Sequence, residues 1–439
     1  MDLDSYFKGK KITVMGLGLL GRGVGDARYL AQKGAELIVT DLKPAEALAS
    51  SVAALAAFPN VTLVLGEHRL EDFRGRDFIL KAAGVPLDSP FIAEARQEGI
   101  PIKMSASWFM ELCEMPVVGI TGTRGKSTVT HMLHAILREA GVPVLLGGNV
   151  RGVSTLALLD ALPEDDALAL LELDSWQLQG FGDAKLSPNI SVFTTFLDDH
   201  LNYYAGDRDR YLADKANIFL YQGATDTLVL GSQCADQILA AYESQITAHT
   251  VVAGAHDFRA DWKLQVPGEH NRYNAALAVE AARALDIDEE IIERALAGFT
   301  GVPGRLELVR IVDEVAYYND TNATTPDATL AALEALRGEQ RPVRLIMGGA
   351  DKGLSMDALL AALPTHAASV SLLAGTGTER IRSALPAPVF SSLTEALADA
   401  RTQAQPGDAV LLSPAFASFG MFENEYDRGD QFSALVRSL

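Results

Sequence analysis

A chain of 439 residues is long enough for about three domains, each burying its own core. It has an ordinary globular balance, 48% apolar and 21% charged, with a net charge of −20 from 37 basic against 57 acidic residues. That charge argues against nonspecific nucleic-acid binding, but leaves open anionic small substrates held by local loops and a few lysines.

No apolar run approaches the roughly 18 residues of a membrane span, and the start MDLDSYFKGKK lacks a signal-peptide core. Cytoplasmic localisation, with no membrane insertion and no nucleic-acid partner, is the expectation. Cys113 and Cys234 are too few for a disulfide framework and lack zinc-ligand spacing, so they read as core thiols.

Residues 11–18, KITVMGLG, predict a buried strand running into Gly16-Leu17-Gly18-Leu19-Leu20-Gly21 and then a helix to about Gln32. A second strand, AELIVTD, ends at Asp41. The roughly 20 residues from Gly21 to Asp41 match the distance between a dinucleotide fingerprint and the acid that bonds a ribose hydroxyl. Alone this predicts a Rossmann unit for NAD, but the fold can hold any nucleotide and a second nucleotide loop follows. A third strand, DFILKAAG, ends in Gly84-Val85-Pro86. A helix from about Ser89 to Gln97 completes a small α/β domain ending near Met104.

A new α/β unit starts at Ala106. The stretch PVVGITGTRGKSTVT, Pro116 to Thr130, is an apolar run that breaks into a glycine-rich turn and then an amphipathic pattern: strand, phosphate loop, helix. Gly122 and Gly125 let backbone N–H groups converge on phosphate oxygens. Lys126 supplies a point charge to the β/γ-phosphates and Ser127 can ligate Mg²⁺ at the helix N-terminus, so the loop predicts an ATP site. Ile120 stands where the strict GxxxxGK[ST] pattern has its first glycine, and a structural turn with a surface lysine is the alternative.

The helix stops near Ala140, and VPVLLGGN predicts a strand leading to Asn149. ALALLELDS, Ala167 to Ser175, predicts a central parallel strand buried on both faces. Its Glu172 needs a partner or a metal at that depth, a structural salt bridge being the alternative. ISVFTTF delivers Asp198, Asp199 and His200 at the strand end where open sheets place ligand sites. A helix from about Asp207 to Tyr221 contains Lys215, which read by itself is an ordinary surface lysine. PGEHNRYNAALAVEAARAL predicts a helix entered at His270-Asn271, and DIDEEIIERALAGF a second that opens with acids suited to its dipole. Gly301-Val302-Pro303-Gly304 reads as a linker. Beyond it, RLELVRIVDEVAYYND is a two-strand pattern, followed by strands RPVRLIMGG, ASVSLLAG and AVLLSPA alternating with helices, a third parallel-sheet domain.

Several of these stretches, in order along nearly the whole chain, resemble the Mur ligases. They are TGTRGKST at 121–128, GGN ending at Asn149, LELDSWQL around Glu172, Asp199-His200, Lys215, GEHNRYNA, PGRLE with Arg305, YNDTNATTP with Asp320, MGGADKG with Lys352, and LLSPAFAS ending at Ser418. The resemblance implies an α/β fold in three domains: a Rossmann-like UDP-binding domain (1–104), a central P-loop ATPase domain with a mostly parallel sheet (105–301), and a C-terminal Rossmann-like domain that binds an amino acid (302–439).

It also implies roles. ATP would be held by Gly122, Thr123, Arg124, Gly125, Lys126, Ser127 and Thr128, with Asn271 at adenine and Arg305 and Asp320 at phosphates and ribose. Ser127 and Glu172 would bind one Mg²⁺; Glu172, His200 and a carbamylated Lys215 would bind the second, the carbamate turning a cation into the oxygen ligand that hard Mg²⁺ prefers. Lys126, Glu172, His200 and Lys215 form the implied catalytic set. Gly18, Leu19, Asp41 and Gly84 would meet the uridine end of the substrate, Asn149 its muramyl part, and Thr324, Lys352 and Ser418 the incoming amino acid.

The implied reaction, in peptidoglycan precursor synthesis, is ATP-dependent addition of glutamate, D-isomer favoured, to UDP-N-acetylmuramoyl-L-alanine through an acyl phosphate by a monomer. An L-glutamate-adding variant and a non-catalytic nucleotide-binding scaffold are the alternatives. The complete amino-terminal GLGLLG domain argues against the folylpolyglutamate synthetase branch. Four positions depart from the usual pattern. Asn322 replaces a lysine, Gly304 a histidine, and Glu423 and Glu425 put two acids where a lysine and an aromatic are common, beside the expected glutamate pocket.

Overall fold

The computed structural model describes residues 2–18, 21–86, 88–150, 152–161, 167–199, 203–338 and 340–439. Three sheets follow one another along the chain. The first holds β1 (Lys11–Met15), β2 (Glu36–Asp41), β3 (Val61–Leu65), β4 (Phe78–Lys81) and β5 (Ile102–Lys103), all parallel, in the order β3-β2-β1-β4-β5. The second holds β6 (Val117–Thr121), β7 (Val144–Gly148), β8 (Leu168–Glu172), β9 (Ile190–Phe193), β10 (Thr227–Gly231) and β11 (His249–Ala253), again all parallel, in the order β11-β10-β9-β6-β8-β7.

The third holds β12 (Glu307–Val312), β13 (Val315–Asn319), β14 (Val343–Gly348), β15 (Ser369–Leu373), β16 (Val389–Phe390) and β17 (Ala409–Leu412), in the order β12-β13-β17-β14-β15-β16. Only the hairpin partner β12 runs antiparallel. The α/β class and the parallel sheets are as the alternation of strand and helix patterns requires.

The inner strands β6, β8 and β9 are buried along their whole length, because crossover helices cover both faces of a parallel sheet. Strand ends therefore carry the polar residues, and the site lies there. The strand Val61–Leu65 was not read from the sequence, where DFILKAAG counted as the third strand. It is the sheet edge, mostly half-buried, although its run VTLVL is apolar at four of five positions. The helix around Lys215 spans Arg208–Ala216 and not the longer stretch to Tyr221, since the chain turns off at Asn217. Cys234 is buried and Cys113 half-buried, both free thiols. Among the described residues no helix is long and apolar enough to cross a membrane.

By contact density the chain forms two compact units: residues up to Asp257 with Asn274–Ile292, and Phe258–Tyr273 with Glu293–Leu439. The first contains two sheets, tied together by Asp26. This carboxylate on the helix Arg22–Gln32 accepts from Ser105 Oγ at 2.7 Å and Ser154 Oγ at 2.5 Å. Burial pushes it up to about 6 against those stabilising hydroxyls.

Candidate functional site

In the first unit, β6 ends at Thr121 and the helix Lys126–Glu139 begins five residues on, with Gly125 as a left-handed N-cap. The loop between is braced by the segment after β9. Thr123 N donates to Thr195 O at 2.7 Å, Arg124 N to Thr195 Oγ1 at 2.9 Å, and Thr194 Oγ1 to Arg124 O at 2.5 Å. The amides of Thr123 and Arg124 are thus engaged within the protein. Of the loop residues expected to meet phosphate, Gly125, Lys126, Ser127 and Thr128 lie at the helix start, where the first amides have no intrahelical acceptor. Lys126 Nζ folds back onto the loop, donating to Gly122 O at 2.9 Å and Thr123 O at 3.2 Å. Asn274, not singled out in the sequence, is buried with its Oδ1 closely packed against Gly125.

Lys215 is not the surface lysine that its sequence context suggests. It is 1% exposed, donates to Gly122 O at 2.9 Å, lies 3.4 Å from Thr121 Oγ1, and sits over the Tyr211 ring at 5.0 Å. Burial, and secondarily the Lys126 ammonium, lower its pKa well below the usual lysine value. A neutral amine is favoured there, which is the form able to add CO₂.

Glu172, the last residue of β8, is buried, and its carboxylate accepts only from Asn149 Nδ2 at 3.4 Å among the described residues, while its backbone O accepts from Asn149 N at 2.6 Å. Asn149 Oδ1 in turn accepts from Arg22 Nη1 at 2.6 Å. The expected salt-bridge alternative for Glu172 is not realised among the described residues. A poorly satisfied buried carboxylate fits a cation, and Lys215 as a carbamate would add a second oxygen ligand. His200 lies outside the described residues.

A cleft of about 950 Å³ runs from the turn after β1 to Lys126. Its lining includes Gly18, Asp41 and Gly84 from the loops of the first sheet and Asn149, Asp174 and Lys126 from those of the second. Asp41 shapes the turn itself: its Oδ2 accepts from Leu17 N at 2.9 Å and Gly18 N at 3.3 Å, its Oδ1 from Lys43 N at 2.9 Å. Leu19 is outside the described residues. The volume is that of a site for a large small-molecule ligand.

In the second unit an antiparallel bridge between Ala350 and Ala417 brings two loops together. Lys352 Nζ donates to Thr324 Oγ1 at 2.8 Å, and the buried Ser418 Oγ has no hydrogen-bond partner among the described residues. Burial, the largest effect, lowers Lys352 from the usual lysine value, against the attraction of Glu425. Arg428, missed in the sequence because it follows no recognisable pattern, is fully buried. It donates to Thr321 Oγ1 at 3.0 Å and Thr321 O at 2.8 Å. Of the two unusual acids, Glu423 faces solvent, while Glu425 is half-buried and acts electrostatically on Lys352 and Arg428.

The other two departures touch each other: Asn322 N donates to Gly304 O at 3.0 Å. Asp320 is buried, accepting from Ser413 Oγ at 2.7 Å and Leu306 N at 3.0 Å, with burial pushing it up to about 7. Asn271 is buried and donates to Pro267 O at 2.6 Å, and Arg305 is exposed.

A braced phosphate loop joined by one cleft to a Rossmann-like sheet, with a further α/β sheet carboxy-terminal to it, defines the class. The chain belongs to the Mur ligase family. It matches the family models described as Mur ligase MurD-like N-terminal domain over residues 10–104, Mur ligase middle domain over 120–262, and Mur ligase glutamate ligase domain over 304–416. Among curated relatives it is 38% identical to UDP-N-acetylmuramoylalanine--D-glutamate ligase of Roseiflexus sp., over 98% of this chain and 99% of the relative.

Among solved structures the fold is similar to UDP-N-acetylmuramate-alanine ligase MurC of Thermotoga maritima, with a TM-score of 0.61 at 20% identity over 98% and 99% of the two chains. It is also similar to MurF ligase of Thermotoga maritima in complex with ADP, with a TM-score of 0.59 at 17% identity over 99% and 97%.

Proposed function

We propose that this chain joins D-glutamate to UDP-N-acetylmuramoyl-L-alanine at the expense of ATP, forming the amide, ADP and phosphate. The observation that carries the reading is one cleft of about 950 Å³ lined both by Asp41 of the first sheet and by Lys126 of the phosphate loop. A nucleotide-sugar held along it presents its far end to a phosphoryl donor. The name of the Roseiflexus relative supplies the substrate pair.

In this reading residues 1–104 bind the uridine end through Gly18, Leu19, Asp41 and Gly84. Residues 105–301 bind ATP, and residues 302–439 bind the amino acid through Thr324, Lys352 and Ser418. ATP converts the unreactive alanyl carboxylate into an acyl phosphate, which the glutamate amine attacks. Lys126 and the first-turn amides follow the charge of the moving phosphoryl group, so catalysis is mainly electrostatic positioning. Mg²⁺, held by Ser127 and Glu172 and by Glu172, His200 and carbamylated Lys215, would neutralise phosphate charge. Asn149 orients Glu172 and faces the muramyl part of the substrate. Asn271, Arg305 and Asp320 would serve the nucleoside and phosphates. The orphan hydroxyl of Ser418 and the ammonium of Lys352 suit the acceptor's carboxylates.

An L-glutamate-adding enzyme is the second reading, favoured by the stretch Asn319-Asp320-Thr321-Asn322-Ala323-Thr324. Phosphate release measured with UDP-N-acetylmuramoyl-L-alanine, ATP and D-Glu, L-Glu, D-Asp or L-Lys in turn separates these. D-Glu is expected to give the highest rate. Turnover with L-Lys alone would place Glu425 in the acceptor pocket and overturn the reading, and no release with any amino acid would point to a scaffold.

A further inference from the structure

Lys81 is the last residue of β4 and pairs in register with Met15 of β1. The sheet order β3-β2-β1-β4-β5 reverses between β1 and β4, the switch point at whose carboxyl edge α/β sheets bind ligands. The side chain is 2% exposed and lines the cleft, yet its ammonium has one hydrogen bond, to Val85 O at 2.8 Å. Among the described residues no carboxylate lies within ion-pair distance of it.

The charged groups around it are Asp183 and Asp174 at the two ends of the helix Ser175–Ala184, Asp214 on Arg208–Ala216, and Arg96 on Pro90–Gln97. Each acid is engaged elsewhere. Asp183 lies 3.6 Å from Arg96, Asp174 caps Gln177 N at 2.8 Å, and Asp214 accepts from Gln179 at 2.7 Å and Tyr204 at 2.9 Å. A buried ammonium lacking an acid is costly unless a ligand completes it.

We propose that Lys81 binds the diphosphate of the nucleotide-sugar substrate from the β4 side of the switch point. The inference rests on the reading of the cleft as the UDP-substrate site. The diphosphate is the anion that lies between the uridine end at Asp41 and the reacting end at Lys126. Burial, the largest influence, pushes the Lys81 ammonium of the free protein down to about 8, so it is charged at neutral pH, and affinity for the diphosphate falls as pH rises above that value.

The test is calorimetric binding of UDP and of uridine to the full chain and to Lys81→Met. UDP is expected to bind about 10- to 100-fold more weakly to the variant while uridine is unchanged, as loss of a charge-assisted contact predicts. Wild-type UDP affinity is expected to fall about tenfold per pH unit above pH 8, with no such fall for uridine. This profile needs no variant. An unchanged UDP-to-uridine ratio in the variant, equal loss of both ligands, or a wild-type UDP affinity flat from pH 7.5 to about 9.5 would overturn the assignment. A wild type that binds no UDP would instead overturn the substrate reading beneath it.

Discussion

Replacing Gly122 by alanine is expected to damage the phosphate loop through three effects. Its φ is +142°, in the region that L side chains avoid, and an added Cβ would lie 1.9 Å from Thr194 Oγ1 and 2.9 Å from Thr195 N. Thr194 cannot simply rotate away, because its hydroxyl donates to Arg124 O. Backbone strain, overpacking and the lost hydrogen bond together cost about 3–6 kcal/mol. Gly141, at the far end of the same helix, has φ +74° with nothing within 4 Å of the added carbon. Alanine there should cost only the backbone term, about 1–2 kcal/mol.

Because a chain with two compact units does not unfold in a single two-state step, the measurement is native-state hydrogen exchange over residues 117–137, with ADP affinity by calorimetry. Gly122→Ala should lower local opening energies by the larger amount and lose most ADP binding, while Gly141→Ala retains it. Equal effects of the two substitutions, or intact ADP binding by Gly122→Ala, would refute the account of a loop held rigid by its contacts with Thr194 and Thr195.

Lys126→Ala is expected to lower turnover by at least about a hundredfold with an unchanged melting profile, since its charge accompanies the phosphoryl group; near-normal phosphate release by the folded variant would count against the ATP site. Lys215→Ala should lose most activity and regain part of it with formate or acetate, and CO₂-free buffer should depress the wild type until bicarbonate is added. An unmodified Lys215 in a crystal structure of the active, substrate-bound enzyme would contradict the carbamate.

Asp320 holds its proton to about pH 7 when folded and to about 3.8 when unfolded, so the folded state binds more protons between these values and loses stability as pH rises. Asp320→Asn should therefore gain roughly 3 kcal/mol relative to the wild type between pH 5 and pH 8. A difference between the two proteins in local opening energy around β13, by native-state hydrogen exchange, that does not change with pH would remove the buried proton from the argument.

Most of the architecture was legible from local pattern. The strand, turn and helix around Gly122 and Lys126, the turn before Asp41, and the alternation that makes three α/β sheets all depend on residues near one another in the chain. Steric limits on φ, turn chemistry and hydrophobic periodicity act over that range. The edge strand Val61–Leu65 carries the same kind of local signal, VTLVL, and was open to the same reading.

Only the tertiary structure decided what surrounds the charged groups. Lys215 on a polar helix and Lys81 at a strand end look like any lysine in sequence. Burial beside Gly122 O or at the switch point comes from segments far along the chain. The chain of contacts from Arg22 through Asn149 to Glu172 joins three separate elements, and Arg428 meets Thr321 across more than a hundred residues. Desolvation and pairing depend on three-dimensional neighbours, so the composition and order of residues name the candidate groups, while the fold sets which are charged, paired or left for a ligand.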